Sequence, residues 1–90
     1  MTATIDLLKA AKAAEPEVSN AEWTRRLGIT DRTAINVAES RGHLSPTIAG
    51  QLARYLKKPV AKWTALAALE SAKPTKATQD LKRLIERAES

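Results

Sequence analysis

Apolar residues recur at helical spacing along this chain, in stretches separated by glycine, proline or short polar turns. Ile5, Leu8 and Ala11 pattern a first helix over Thr4–Ala14, which Pro16 ends. Ser19-Asn20-Ala21-Glu22 reads as a capping box: the Ser19 hydroxyl accepts from the Glu22 amide and the Glu22 carboxylate reaches back to the Ser19 amide. The second helix then stops at Leu27, where Gly28 is free to adopt a left-handed turn. Thr30 is the expected N-cap of a third helix over Asp31–Ser40, with Asp31 at the positive end of its dipole and Gly42 as its stop. Ser45-Pro46 starts a fourth helix carrying Ile48, Leu52, Tyr55 and Leu56. Lys58-Pro59 separates it from a fifth, built on Val60, Trp63, Leu66 and Ala67. The polar, proline-containing stretch Ser71 to Lys76 reads as a linker before a last helix with Leu81, Leu84, Ile85 and Ala88 on one stripe.

The pattern predicts an all-α chain: a five-helix domain over residues 1–71, a linker over 72–76 and a C-terminal helix over 77–90. Ninety residues with no cysteine allow one small domain whose core holds without disulfides or thiolate metal sites. Phenylalanine is absent while alanine and leucine abound, which favours small helices in close contact. No apolar run approaches the roughly 18 residues needed to span a bilayer, and no signal-peptide pattern is present, so a cytoplasmic protein is expected.

Charge adds a direction to this picture. Residues 1–24 carry two lysines against four acids, whereas residues 25–62 carry eight bases against only Asp31 and Glu39. A net charge of +5 concentrated in the middle of the chain suits a polyanion, or is simply a solvated basic surface.

Leu27-Gly28-Ile29-Thr30 joins two short helices through a tight turn, which is the arithmetic of a helix-turn-helix. Thr24, then Gly28, then Ala34 and Val37 six and nine positions after the glycine, follow the pattern of the bacteriophage Cro/CI repressor-like family, which the first 71 residues resemble. The resemblance implies a five-helix lambda-repressor-like domain, a small phage-encoded regulator that binds double-stranded DNA as a homodimer, and a nucleoid-associated location in the cytoplasm. It also implies a third helix lying in the major groove.

On a helix advancing 100° per residue, Ala34, Val37, Ala38 and Arg41 share one side of that third helix, and Arg32, Ile35, Asn36 and Glu39 the other. An isolated exposed isoleucine is ordinary on a protein surface. Within this motif Ile35 has a further use, since the thymine C5-methyl is an apolar feature that a side chain reads, while arginine suits guanine and asparagine suits adenine. The expected base contacts are therefore Asp31, Arg32, Ile35, Asn36 and Glu39. Expected backbone contacts are Asn20 at the start of the second helix, Thr30, Thr33, Arg41 and His43, and Ser45 and Thr47 at the anion-favouring start of the fourth helix.

No cofactor, metal site or small-molecule substrate is expected. There is no glycine-rich phosphate loop and no serine–histidine constellation, a single histidine makes no metal site, and Glu15 and Glu17 beside Pro16 read as a solvated turn, so an enzyme is not expected. Leu81, Leu84, Ile85 and Ala88 form the candidate dimerisation stripe. Readings from other directions are a helical protein-interaction adaptor that binds no DNA, and an excisionase- or antitoxin-type DNA-binding protein.

Overall fold

The structure is a computed structural model that describes residues 4–87. Its described residues form six α-helices and no strand: α1 Thr4–Ala14, α2 Asn20–Arg26, α3 Ala34–Arg41, α4 Pro46–Tyr55, α5 Val60–Ser71 and α6 Lys76–Arg87. Five of the helices surround one core in which Leu8, Trp23, Ile35, Leu44, Leu52 and Leu66 are essentially inaccessible to solvent. None of the described helices is long and apolar enough to cross a membrane.

Helix α1 buries Thr4, Leu7, Leu8 and Ala11, an i, i+3, i+4, i+7 stripe. Thr4 is the residue the sequence pattern overlooks. Its backbone N–H donates to Glu70 Oε2 at 3.0 Å, its hydroxyl donates to Glu70 Oε1, and the same hydroxyl accepts from the Leu44 amide at 3.0 Å. One buried threonine thus ties the first turn of α1 to the end of α5 and to the α3–α4 connection.

The Ser19 hydroxyl caps α2 by accepting from the Glu22 amide at 3.2 Å, as its position predicts. The reciprocal half of the capping box is not made. The Glu22 carboxylate accepts from Arg25 at 2.6 Å and from Arg26 at 3.4 Å, because two guanidinium groups one turn along offer a stronger, charge-assisted bond than a backbone amide. α2 ends with Gly28 at φ +69, its amide donating to the Arg25 carbonyl and the Ile29 amide to the Thr24 carbonyl.

The same pair of bonds closes α4, from Lys57 N to Arg54 O and from Lys58 N to Ala53 O, yet here the left-handed residue at φ +59 is Lys57. A side chain there is disfavoured by about 1–2 kcal/mol, part of which a glycine's looser unfolded chain offsets. Lys57→Gly is therefore expected to stabilise the fold by about 0.5–1 kcal/mol, read as a higher denaturant midpoint at unchanged slope. A lower midpoint would mean that the lysine makes a compensating contact.

The third helix departs most from its sequence expectation. It begins at Ala34, not Asp31, and Thr30 does not cap it. The Asp31 carboxylate accepts from the Thr33 amide at 2.9 Å and from the Thr33 hydroxyl at 2.8 Å, a local turn that holds 31–33 out of the helix. The buried residues are Ile35 and Ala38, whereas Val37 is 49 % exposed. Turning Ile35 inward in place of Val37 buries one more methylene group, worth about 0.8 kcal/mol.

α4 starts as predicted, with Ser45 accepting from the Ile48 amide at 3.3 Å and Pro46 in the first turn. α5 lies across it so closely that Gly50 faces Thr64 with no room for a side chain. After the connection over residues 72–75, the Thr75 hydroxyl accepts from the Thr78 amide at 3.2 Å and the Thr78 hydroxyl from the Thr75 amide at 2.8 Å, a reciprocal cap that starts α6 at Lys76. α6 folds back along α5. Ile85 leans on the core, while Leu81 and Leu84 are 49 % and 61 % exposed, and Ala88 lies outside the described residues.

Candidate nucleic-acid interface

With Ile35 and Ala38 inward, the outward face of α3 carries Thr33, Asn36, Val37 and Ser40, all exposed and spaced i, i+3, i+4, i+7. Ile35 is wholly buried and makes no base contact from this face; the exposed apolar residue of α3 is Val37. That correction was legible in principle. Asp31-Arg32-Thr33 is a short-range turn signal that delays the helix, and the larger of two β-branched residues has the stronger claim on the core.

Asn36 and Glu39 sit on the flank of this face nearest α1 and α2. The Asn20 side-chain amino group donates to Asn36 Oδ1 at 2.5 Å and to Glu39 Oε1 at 2.8 Å, and Lys12 Nζ donates to Glu39 Oε2 at 2.6 Å. Asn20, expected on a phosphate, therefore points at α3 instead, and Glu39 is engaged within the protein. The Lys12 ammonium, and after it the Asn20 amide, hold the Glu39 carboxyl below its ordinary range. Lys12 has no part in the sequence-based site; a lysine on α1 meets α3 only once the helices are assembled.

Asp31 is occupied by the Thr33 amide and hydroxyl, which lower its pKa, so its carboxylate serves the turn. Thr30 is exposed beside it. Arg32 is exposed and has no carboxylate partner among the described residues, and it lines an open groove of about 470 Å³ with Ser19, Glu22, Thr24, Arg25 and Ile29. Among the described residues Arg41 donates to the His43 carbonyl, at 3.5 Å, and the half-buried His43 ring lies 3.5 Å from the Leu44 carbonyl. Beyond them come Ser45, whose hydroxyl is committed to its cap, and the exposed Thr47.

The other cations divide into two groups. Arg25 pairs with Glu22, and Arg26 donates to Glu15 at 2.8 Å while Tyr55 donates to the same carboxylate at 3.0 Å. Arg54, Lys57 and Lys58 have no carboxylate partner among the described residues. Lys57 and Lys58 follow the C-terminal end of α4, a helix roughly 15 Å long at 1.5 Å per residue, and so lie at the opposite end from Ser45.

The acid partners of these networks give a pH dependence. Arg26 and then Tyr55 lower Glu15, and Arg25 leads the lowering of Glu22. Because these carboxyl groups and Glu39 titrate lower in the folded chain than in the unfolded one, their stabilisation is complete above the ordinary glutamate value of about 4.3 and is lost as pH falls through the folded values. The melting temperature should hold level from neutral pH to about 5 and drop below that, and Glu15→Gln should make the drop shallower. An acid limb unchanged in Glu15→Gln would remove this carboxylate from the account.

Among the described residues no group of His, Asp or Glu has the arrangement of a metal site. Neither a protein-family model, nor a curated protein, nor a solved structure matches the chain.

Proposed function

We propose that the chain is a sequence-specific DNA-binding transcription regulator of the phage Cro/CI repressor-like kind, in which α2 and α3 form the helix-turn-helix of a lambda-repressor-like domain and α3 enters the major groove. The observation that carries this reading is the outward face of α3: Asn36 and Val37 at its centre, residue types that read base edges, with Arg32 in the turn before the helix and Arg41 at its end, neither paired with a carboxylate among the described residues. Arg41, His43 and the start of α4 at Ser45–Thr47 follow directly in the chain, where cations and helix-end amides bind phosphate. No catalytic role, cofactor or small-molecule substrate enters this proposal.

Regulation would follow from occupying an operator in the nucleoid. The protein would act as a dimer through Leu81 and Leu84, with Ile85 left to its own domain. Footprinting on the DNA flanking the chain's own gene tests the proposal directly. On a footprinted or selected site, the logarithm of affinity should fall linearly and steeply with the logarithm of salt. Arg32→Ala and Asn36→Ala should each weaken that site by about 1–3 kcal/mol, and Asn36→Ala should weaken unrelated DNA less. A flat salt response with no footprint would favour a protein-binding adaptor instead.

A further inference from the structure

Lys12, Glu39, Asn20 and Asn36 form an unbroken chain of hydrogen bonds across three helices, and the chemistry of its members leaves one arrangement. An ionised carboxylate only accepts, so with Lys12 on Glu39 Oε2, the group that Asn20 turns to Glu39 Oε1 must be its amino group. That amino group has two protons, and the second goes to Asn36 Oδ1. Asn36 must therefore keep its oxygen toward α2 and its own amino group away from it. It retains one lone pair on that oxygen and both amino protons, which is the acceptor and donor couple that matches adenine N6–H and N7.

Val37 stands next to it on the outward face. It is the exposed large apolar residue of α3; the others, Tyr55, Val60, Leu81 and Leu84, belong to α4, α5 and α6. In the major groove the apolar feature offered to such a side chain is the thymine C5-methyl.

Resting on the proposed duplex-binding role of α3, we infer that Lys12, Glu39 and Asn20 act as a relay that fixes the Asn36 carboxamide for adenine, with Val37 beside it on the methyl of a neighbouring thymine. Glu39 and Lys12 are positioning residues in this scheme. The fixed amide also distinguishes A·T from T·A at that pair, since reversing the pair puts the thymine C5-methyl and O4 where Asn36 would otherwise meet adenine N7 and N6–H.

The test starts from a duplex selected from random sequence by the unmutated full chain. In that duplex each thymine is replaced by deoxyuridine, which lacks the methyl, and each adenine by 7-deazaadenine, which lacks N7. One thymine should show a loss of roughly three- to five-fold, the scale of one buried methyl, and Val37→Ala should be indifferent to the same change. One adjacent adenine should show a loss of roughly ten-fold that vanishes in Asn36→Ala. Glu39→Gln, and independently Lys12→Met, should lose the preference for A·T over T·A at that pair while their melting curves stay cooperative. Undiminished preference in both variants would overturn the relay, and a selected site insensitive to both base analogues would overturn the adenine–thymine reading while leaving sequence-specific binding in place. If no sequence is selected at all, the proposed function itself fails.

Discussion

Gly50→Ala is expected to destabilise the chain although it improves helix propensity, and Gly50→Leu is expected to abolish cooperative unfolding. A Cβ on Gly50 would lie 2.6 Å from Thr64 Oγ1 and 3.7 Å from Val60 Cγ1, against the most closely applied helix of the fold. Alanine in a helix interior is worth about 1 kcal/mol over glycine. Overpacking costs about 1–3 kcal/mol, and a 2.6 Å approach belongs toward the upper end of that range, so the clash wins with a net loss of up to about 2 kcal/mol. At this chain length each kcal/mol moves the melting temperature by about 4–8 °C. Leucine adds three carbons that cannot turn away from α5, and the two helices must separate. The double substitution Gly50→Ala with Thr64→Ala removes the clashing hydroxyl and recovers the propensity gain, so the pair should couple by more than about 1 kcal/mol. Simple additivity would show that Thr64 does not set the α4–α5 distance.

How far this architecture is legible in the sequence depends on the distance over which each signal acts. Helix ends decided by one or two neighbours are readable: Ser19 and Ser45 as caps, Gly28 and Gly42 in left-handed turns, Pro46 in a first turn. Trp63 falls in the core, as its place on the apolar stripe of the fifth helix predicts. The face that α3 presents is a different kind of quantity. It turns on whether residues 31–33 join the helix, and that is decided by the Asp31–Thr33 turn together with the burial of a single extra methylene. Ile35 and Val37 lie about 200° apart around the helix, so a modest rotation of the buried stripe exchanges them at the surface while Asn36, midway between them, stays exposed. Lys12–Glu39 and Thr4–Glu70 join residues far apart in sequence, and no local pattern encodes them.

The tail carries the other large effect. Leu81→Asp with Leu84→Asp should yield a folded monomer whose operator affinity is at least about a hundred-fold lower. The two leucines expose 49 % and 61 % of their surface, one turn apart on a helix whose inner side already leans Ile85 on the core. Covering the exposed half of each on a second copy would contribute about 1.5–3 kcal/mol from burial per copy, since a leucine is worth about 1.5–3 kcal/mol when fully withdrawn from water. Asp80 pairs with Lys76 at 3.0 Å and approaches Arg83 at 3.7 Å, so the carboxylate beside the leucines is compensated before any partner arrives. In a two-fold dimer the second α3 reads its half-site at an effective concentration near millimolar, and losing that linkage is what weakens the operator so much more than unrelated DNA. Because neither leucine supports the core, circular dichroism and the melting transition of the double variant should stay close to those of the unmutated chain. Sedimentation equilibrium decides the matter: an unmutated protein that stays monomeric at tens of micromolar, with an operator affinity equal to that of the double variant, would show that α6 serves its own domain alone.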